Sequence, residues 1–108
     1  MVEKELMFDN NESVRQELVR ALKEKGIKDP ETKSLLINWT IEQERSVESS
    51  TDPDAPIQFN VRRARLYFEA GYTEEAIENF GAALTQAHHE HRDDIRLAII
   101  KEMEEKGL

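Results

Sequence analysis

The 108-residue sequence predicts an all-α protein, with about five antiparallel helices in a single domain over residues 1–108. Three observations lead to this prediction. Apolar residues recur at helical spacing, and no segment alternates polar and apolar residues with enough β-branched side chains for a strand. Glycine, proline and capping residues divide the chain into segments of helical length. A chain of this length buries roughly 65% of its unfolded surface, which is enough for one core.

The N-terminal half is predicted to hold two helices. Residues 1–10 carry little apolar pattern and are expected to be a flexible lead-in. A first helix is predicted over about 12–25, followed by a glycine stop. Asp29-Pro30-Glu31 predicts the start of the second helix, because it joins a capping residue, a first-turn proline and a first-turn acid. The polar, proline-bearing segment 48–56 is predicted to be a loop between two helical halves.

The C-terminal half is predicted to be a helical hairpin followed by a capping helix. Residues 57–90 form the hairpin, with its turn at Gly71, and residues 93–107 form the last helix. The period of the apolar residues indicates which faces are buried. The third helix carries two apolar stripes on opposite sides: Ile57, Val61, Ala64 and Phe68, and Phe59, Leu66 and Ala70.

The second helix also carries two apolar faces. Trp39 lies with Leu35 on one side, where core packing is expected, and Ile37 and Ile41 lie well round from them. The first and last helices are mainly one-sided. We therefore expect the second and third helices to lie inside a layered array, covered on both sides, rather than in a symmetric four-helix bundle.

Composition excludes several classes of function. The net charge is −8, from 15 basic and 23 acidic residues, which argues against binding nucleic acid or an anionic membrane. There is no cysteine, so disulfides and thiolate metal sites are excluded, and a cytoplasmic location is expected. We expect no signal peptide, because the N-terminus is acidic. No apolar run approaches the roughly 20 residues of a membrane helix.

The stretch 60–87 resembles a tetratricopeptide repeat, whose pattern is W-x2-L-G-x2-Y followed by A-x3-F and a proline. The matching positions hold three alanines where helices approach closely, two aromatic residues that fill the space beside them, and a turn glycine: Ala64, Tyr67, Gly71, Ala76, Phe80 and Ala83. Asn60, Arg63 and His88 stand where the family has tryptophan, leucine and proline. One 34-residue period further on, Leu97 and Ala98 fall at the leucine and small-residue positions.

The resemblance implies a non-enzymatic protein-interaction module that binds another protein or a peptide. In such repeats the first helices line a concave groove, which often binds acidic peptides. The candidate partner-binding residues are therefore Arg62 and Arg65, in the only basic cluster of the chain, and Glu69, which lies four residues from Arg65 and can pair with it on the same helix. Apolar surface at unfilled repeat ends also suits a second copy of the chain.

The alternative function is that of an acidic inhibitor or nucleic-acid mimic that blocks a basic partner through its negative charge. No cofactor, metal or catalytic residue is predicted. The histidines near the end of the fourth helix resemble metal ligands, but they have no distant fourth ligand, and histidine is favourable at a helix C-terminus: His88, His89 and His91.

Overall fold

A computed structural model of the chain confirms the all-α prediction. It describes the backbone of residues 2–108 and the side chains of residues 13–108. This part of the chain contains no strand. The helices are α1 (Val2–Glu24), α2 (Pro30–Ser49), α3 (Ala55–Glu69), α4 (Thr73–His89) and α5 (Asp93–Glu105).

The chain divides into two compact units, Met1–Arg45 and Ser46–Leu108. The division falls inside α2, close to the predicted loop. That loop is shorter than 48–56, because α2 continues to Ser49 and Pro56 lies in the first turn of α3. Proline is tolerated there, since the first helical residues have no intrahelical acceptor for an N–H group.

The first unit holds α1 and the greater part of α2, joined by a capped turn. Asp29 accepts hydrogen bonds at Oδ2 from the backbone N–H groups of Glu31 and Thr32, both at 3.1 Å. Thr32 is fully buried, and its hydroxyl lies 3.5 Å from the carbonyl oxygen of Ala21. Leu18 and Leu22 of α1 are also buried. The predicted start signal of the second helix is therefore a capped helix start, packed beside the end of α1.

α1 begins at Val2, about ten residues before the predicted start. Residues 2–24 contain neither glycine nor proline, so nothing in the sequence prevents the helix from extending towards the N-terminus. Residues 1–10 are predicted to be a flexible lead-in, and their side chains lie outside the described part of the chain.

The prediction for the faces of α2 is half right. Trp39 is buried, as expected. Ile37 and Ile41 are instead 57% and 41% exposed. The second stripe of α2 is therefore a surface stripe, and the expectation that this helix is covered on both sides is wrong. Periodicity shows which residues share a face, but it does not show what covers that face.

The second unit is built from α3, α4 and α5. α3 and α4 run antiparallel, since early residues of α3 contact late residues of α4. The core between the three helices is formed by a mixture of large and small side chains: Ile57, Ala64, Phe80, Ala83, Ala87 and Ile99. Both predicted stripes of α3 contain buried residues, because Ile57 and Ala64 on one side and Leu66 on the other are all fully buried. The two-sided prediction is confirmed for this helix.

The helices of this unit end in turns of the same geometry. After α3, the N–H of Tyr72 donates to the carbonyl of Tyr67 at 2.8 Å, and Gly71 has φ of 88°. After α4, the N–H of Arg92 donates to the carbonyl of Ala87 at 2.8 Å, and His91 has φ of 56°. Each turn is a left-handed helix stop of the Schellman type. The second turn places a histidine where a glycine is favoured.

Replacing His91 by glycine is expected to stabilise the protein by about 0.5–1 kcal/mol, because glycine adopts a left-handed conformation without strain from a Cβ. Unfolding in urea, followed by circular dichroism, measures this gain. Gly71→Ala is the matched control. A Cβ at Gly71 would meet nothing within 4 Å, so the expected loss of about 1 kcal/mol is conformational alone. If His91→Gly is less stable than the parent protein, the interpretation of this turn is contradicted.

The spacing between the starts of α3 and α5 differs from the period of the tetratricopeptide family. α3 begins at residue 55 and α5 at residue 93, which is 38 residues later and longer than the family period of about 34. α4 continues through His88, where the family has a helix-ending proline. Leu97 is 59% exposed and Ala98 is exposed, so these residues do not occupy the positions that a 34-residue period predicts.

Candidate functional site

α3 and α5 run parallel in the second unit, with a groove between them. The direction follows from two ion pairs, one at each end, which join Asp54 to Arg92 and Arg65 to Glu102. The groove has a volume of about 410 Å³. We call it the α3–α5 groove, and its lining residues are Ile57, Gln58, Val61, Arg62, Arg65, Ile95, Ala98, Ile99 and Glu102.

The apolar part of the groove comes from the core. Ile57 and Ile99 belong to the buried core cluster, and Val61 and Ile95 pack against it while being partly exposed. These four side chains are branched aliphatics, which present a stiff apolar surface. The groove is therefore preformed, because its apolar lining is held by the same packing that holds the three helices together.

Arg65 closes one end of the groove by a bidentate pair with Glu102. Its Nε and Nη2 donate to Oε2 and Oε1 of Glu102 at 2.8 and 2.7 Å. Nζ of Lys106 lies 3.2 Å from Oε2 of the same carboxylate. The hydrogen bond from Arg65 is the main reason that the pKa of Glu102 lies below its ordinary value, and Lys106 contributes in the same direction. Glu102 is therefore held ionised between two cations.

Arg62 lines the same groove, one position after Val61. Burial and the neighbouring charge of Arg65 lower the pKa of Arg62, so its surroundings disfavour the cationic form. The charged groups in the lining are Arg62, Arg65 and Glu102, which leaves one net positive charge. The groove thus carries local positive charge in a chain of net charge −8.

The structure brings two of the three candidate residues together. Arg62 and Arg65 both lie in the groove lining, whereas Glu69 is exposed and lies outside it. The sequence predicted Glu69 as the ion partner of Arg65, but both Nε and Nη2 are occupied by Glu102, which is 37 residues away. Helical spacing identifies partners within one helix only, so it could not find this pair.

The other end of the groove is held by a second ion cluster. Nη1 of Arg92 donates to both oxygens of Asp54, at 2.7 and 2.6 Å. Its Nε and Nη2 each lie 3.2 Å from an oxygen of Asp94. Because Asp54 precedes α3 and Arg92 precedes α5, this cluster fixes the starts of the two helices side by side. Sequence reasoning did not identify this contact, since it joins two loops.

The two residues that replace large apolar residues of the repeat pattern form a polar network between α3 and α4. Asn60 donates from Nδ2 to Oε1 of Gln86 at 3.0 Å. Arg63 donates from Nε to Oδ1 of Asn79, and from Nη2 to Oδ1 of Asn60 at 3.1 Å. Arg63 also lies over the ring of Phe59, 4.7 Å from its centroid. Hydrogen bonds therefore join the helices where the family uses apolar packing.

Most of the other residues on which the resemblance rests are buried between the helices or form a turn. Ala64, Ala76, Phe80 and Ala83 are fully buried, and Gly71 forms the left-handed turn. Tyr67 is partly buried, which raises the pKa of its hydroxyl, and its ring lies 6.4 Å from that of Tyr72.

The three histidines lie at the end of α4 and in the turn that follows it. His88 and His89 are in the last turn of α4, and His91 is in the following turn. Within the part of the chain that the structure describes, no group of three or more histidine, cysteine or acidic side chains is placed to hold a metal ion.

Comparisons with known proteins found no relative of this chain. No protein-family model, no curated protein and no solved structure matches it. Among the helices described, none has the length and apolar character that crossing a membrane requires.

Proposed function

We propose that this chain is a small non-enzymatic interaction module, similar to tetratricopeptide repeats, whose α3–α5 groove binds a short acidic segment of another protein. The observation that carries the proposal is the groove itself, which combines a preformed aliphatic lining with local positive charge on an acidic protein. An aliphatic side chain of the peptide packs on Val61 and Ile95, while a carboxylate of the peptide contacts Arg62.

Electrostatics favours an anionic ligand over a cationic or neutral one. Arg62 lies where burial and Arg65 disfavour a positive charge, so a carboxylate brought into the groove offsets both effects. Arg65 is engaged with Glu102, so it also supports the groove wall. The overall negative charge repels most acidic partners at long range, so binding should be specific to segments that reach the groove.

Reversing the charge of Arg62 is expected to weaken peptide binding at least tenfold, because the change removes a charge-assisted contact and adds repulsion. The probe is obtained by panning a displayed library of random 12-residue peptides against the immobilised protein. The enriched sequences should combine acidic and aliphatic residues. Synthetic fluorescent versions are then titrated by anisotropy with the parent protein and with Arg62→Glu.

Lys101→Glu is the matched control. It is an exposed position of α5 outside the groove lining, and its reversal changes the net charge by the same amount as the Arg62 variant. The control should retain parental affinity within about twofold. Failure to enrich any acidic peptide, or equal affinities for the two variants, contradicts the groove as the binding site.

The net charge of −8 favours one alternative, in which the protein acts as an acidic inhibitor or nucleic-acid mimic. That function depends on many dispersed carboxylates, so both charge reversals would strengthen association with a basic partner. The affinity of such a complex would also fall steeply with salt. Groove binding is distinguished by its selective loss in Arg62→Glu.

A further inference from the structure

α2 carries a continuous face of exposed residues. Ile37 and Ile41 lie one helical turn apart in the middle of this face, on the side of α2 away from the buried Thr32 and Trp39. The other exposed residues at the same helical spacing are polar or charged, apart from the first-turn proline: Pro30, Lys33, Ser34, Glu44, Arg45 and Glu48. We call this surface the α2 face.

The apolar surface continues from the α2 face to α1. Ile41 borders a cleft of about 440 Å³ whose lining also includes Val14, Leu35 and Trp39. Val14 is 37% exposed. Among the side chains described for the first unit, the exposed large apolar ones therefore adjoin one another, since Val14 and Ile41 share this cleft and Ile37 is one turn from Ile41. Clustering of this kind distinguishes interaction surfaces from ordinary surface residues.

We propose that the α2 face is a homodimer interface, in which α2 packs antiparallel against α2 of a second copy about a two-fold axis level with the midpoint of Ile37 and Ile41. In that arrangement Ile37 of each copy lies beside Ile41 of the other. The four side chains form one apolar layer, and each contact occurs twice because a two-fold interface pairs one surface with itself.

Charge complementarity identifies a second copy as the occupant. Lys33 lies four residues before Ile37 and Glu44 lies three residues after Ile41, so the two charges flank the apolar layer at nearly equal distances. Helical spacing puts both on the same side of the face. The antiparallel two-fold therefore brings Lys33 of each copy opposite Glu44 of the other. A parallel two-fold would instead put the two lysines at one level and the two glutamates at another, on opposite flanks of the layer, so that no lysine would meet a glutamate.

The size of the α2 face sets the affinity that we expect for the dimer. A 20-residue helix is about 30 Å long, and one helix pair buries less than the roughly 800 Å² per partner of a standard interface. We therefore expect a weak dimer, with a Kd of about 10–100 μM. This interface is independent of the α3–α5 groove, since it uses α2 and the groove uses α3 and α5.

Sedimentation equilibrium between about 5 μM and 1 mM tests the proposal. The mass of the parent chain should rise from 12.6 kDa towards twice that value. Ile37→Glu should remain monomeric at all these concentrations, because each of the two copies would place a charged glutamate in the apolar layer. Ile77→Glu is the matched control, an isoleucine of α4 that is 43% exposed, and it should dimerise like the parent. A parent chain that is monomeric at 1 mM overturns the proposal.

A charge exchange tests the two-fold geometry itself. Lys33→Glu and Glu44→Lys should each weaken dimerisation about tenfold, since each replaces two attractive contacts by two repulsive ones. The double variant should restore the parental Kd within about threefold. All positions are exposed, and circular dichroism verifies that each variant is folded. A double variant no tighter than the single ones overturns this arrangement, as does unchanged dimerisation of Ile37→Glu.

Discussion

Replacing Phe80 by alanine is expected to lower the free energy of unfolding by about 3–5 kcal/mol. Phe80 is the largest fully buried side chain of the protein as described, and it lies in the core shared by α3, α4 and α5. Its neighbours in that core include Ala64 and Ala83, whose short side chains cannot extend into the space that a missing ring leaves. The cavity term therefore adds to the lost transfer free energy.

This loss is a large fraction of the roughly 5–15 kcal/mol that stabilises a domain. Urea unfolding followed by circular dichroism measures it. Ile77→Ala, on the same helix but 43% exposed, is the matched control and should cost less than about 1 kcal/mol. Similar losses for the two variants would mean that Phe80 is not the centre of this core. Peptide affinity of Phe80→Ala should fall as well, because the groove lining rests on the same cluster.

The helices themselves could be predicted from the sequence because their signals are local. The cap at Asp29 and the turn at Gly71 act within a few residues, and both lie where the sequence placed them. The two buried sides of α3 were also predictable, since periodicity assigns residues to faces. α2 shows the limit of that reasoning. Its stripe of Ile37 and Ile41 has the same spacing as a buried stripe, yet it is exposed.

Some features of the candidate site could likewise be predicted from the sequence, and others could not. The basic pair Arg62 and Arg65 could be predicted from the sequence, because a spacing of three residues puts both on one side of a single helix. Both do line the same groove. The partner of Arg65 could not be predicted in this way, since Glu102 is brought to it by the path of the chain through α4. The roles of Asn60 and Arg63 were hidden for a related reason. Their positions in the motif indicated apolar packing, whereas their hydrogen-bond partners lie on the neighbouring helix.

The separation of 38 residues between the starts of α3 and α5 determines which side chains meet in the groove. α4 extends past the position of the family proline, so α5 begins later than a 34-residue period predicts. Ile95 and Ile99 consequently line the groove with Ile57 and Val61, while Leu97 points away from the core and is exposed. The ion pairs of Arg65 with Glu102 and of Arg92 with Asp54 hold α3 and α5 side by side at this spacing.

Because the helices approach closely at Ala83, a larger side chain there is expected to cause the second large loss of stability. Replacing Ala83 by leucine is expected to destabilise the protein by about 3 kcal/mol, because the added carbons must enter a core that already holds Phe80 and Ala64. Ala83 has no exposed surface, so the new side chain cannot turn outwards without moving α4. The helix would have to shift away from its neighbours, or the leucine would have to adopt a strained rotamer.

Ala82→Leu isolates this packing effect from every other consequence of the substitution. Ala82 is the preceding residue of the same helix and is exposed, so the change in helix propensity and in composition is the same while the core is untouched. Its stability should stay within about 0.5 kcal/mol of the parent in urea unfolding. If Ala83→Leu is tolerated equally well, then α4 can move from α3 and α5 without cost. In that case the small residues of the motif would not be what sets the helix spacing, and the resemblance to tetratricopeptide repeats would lose its physical basis.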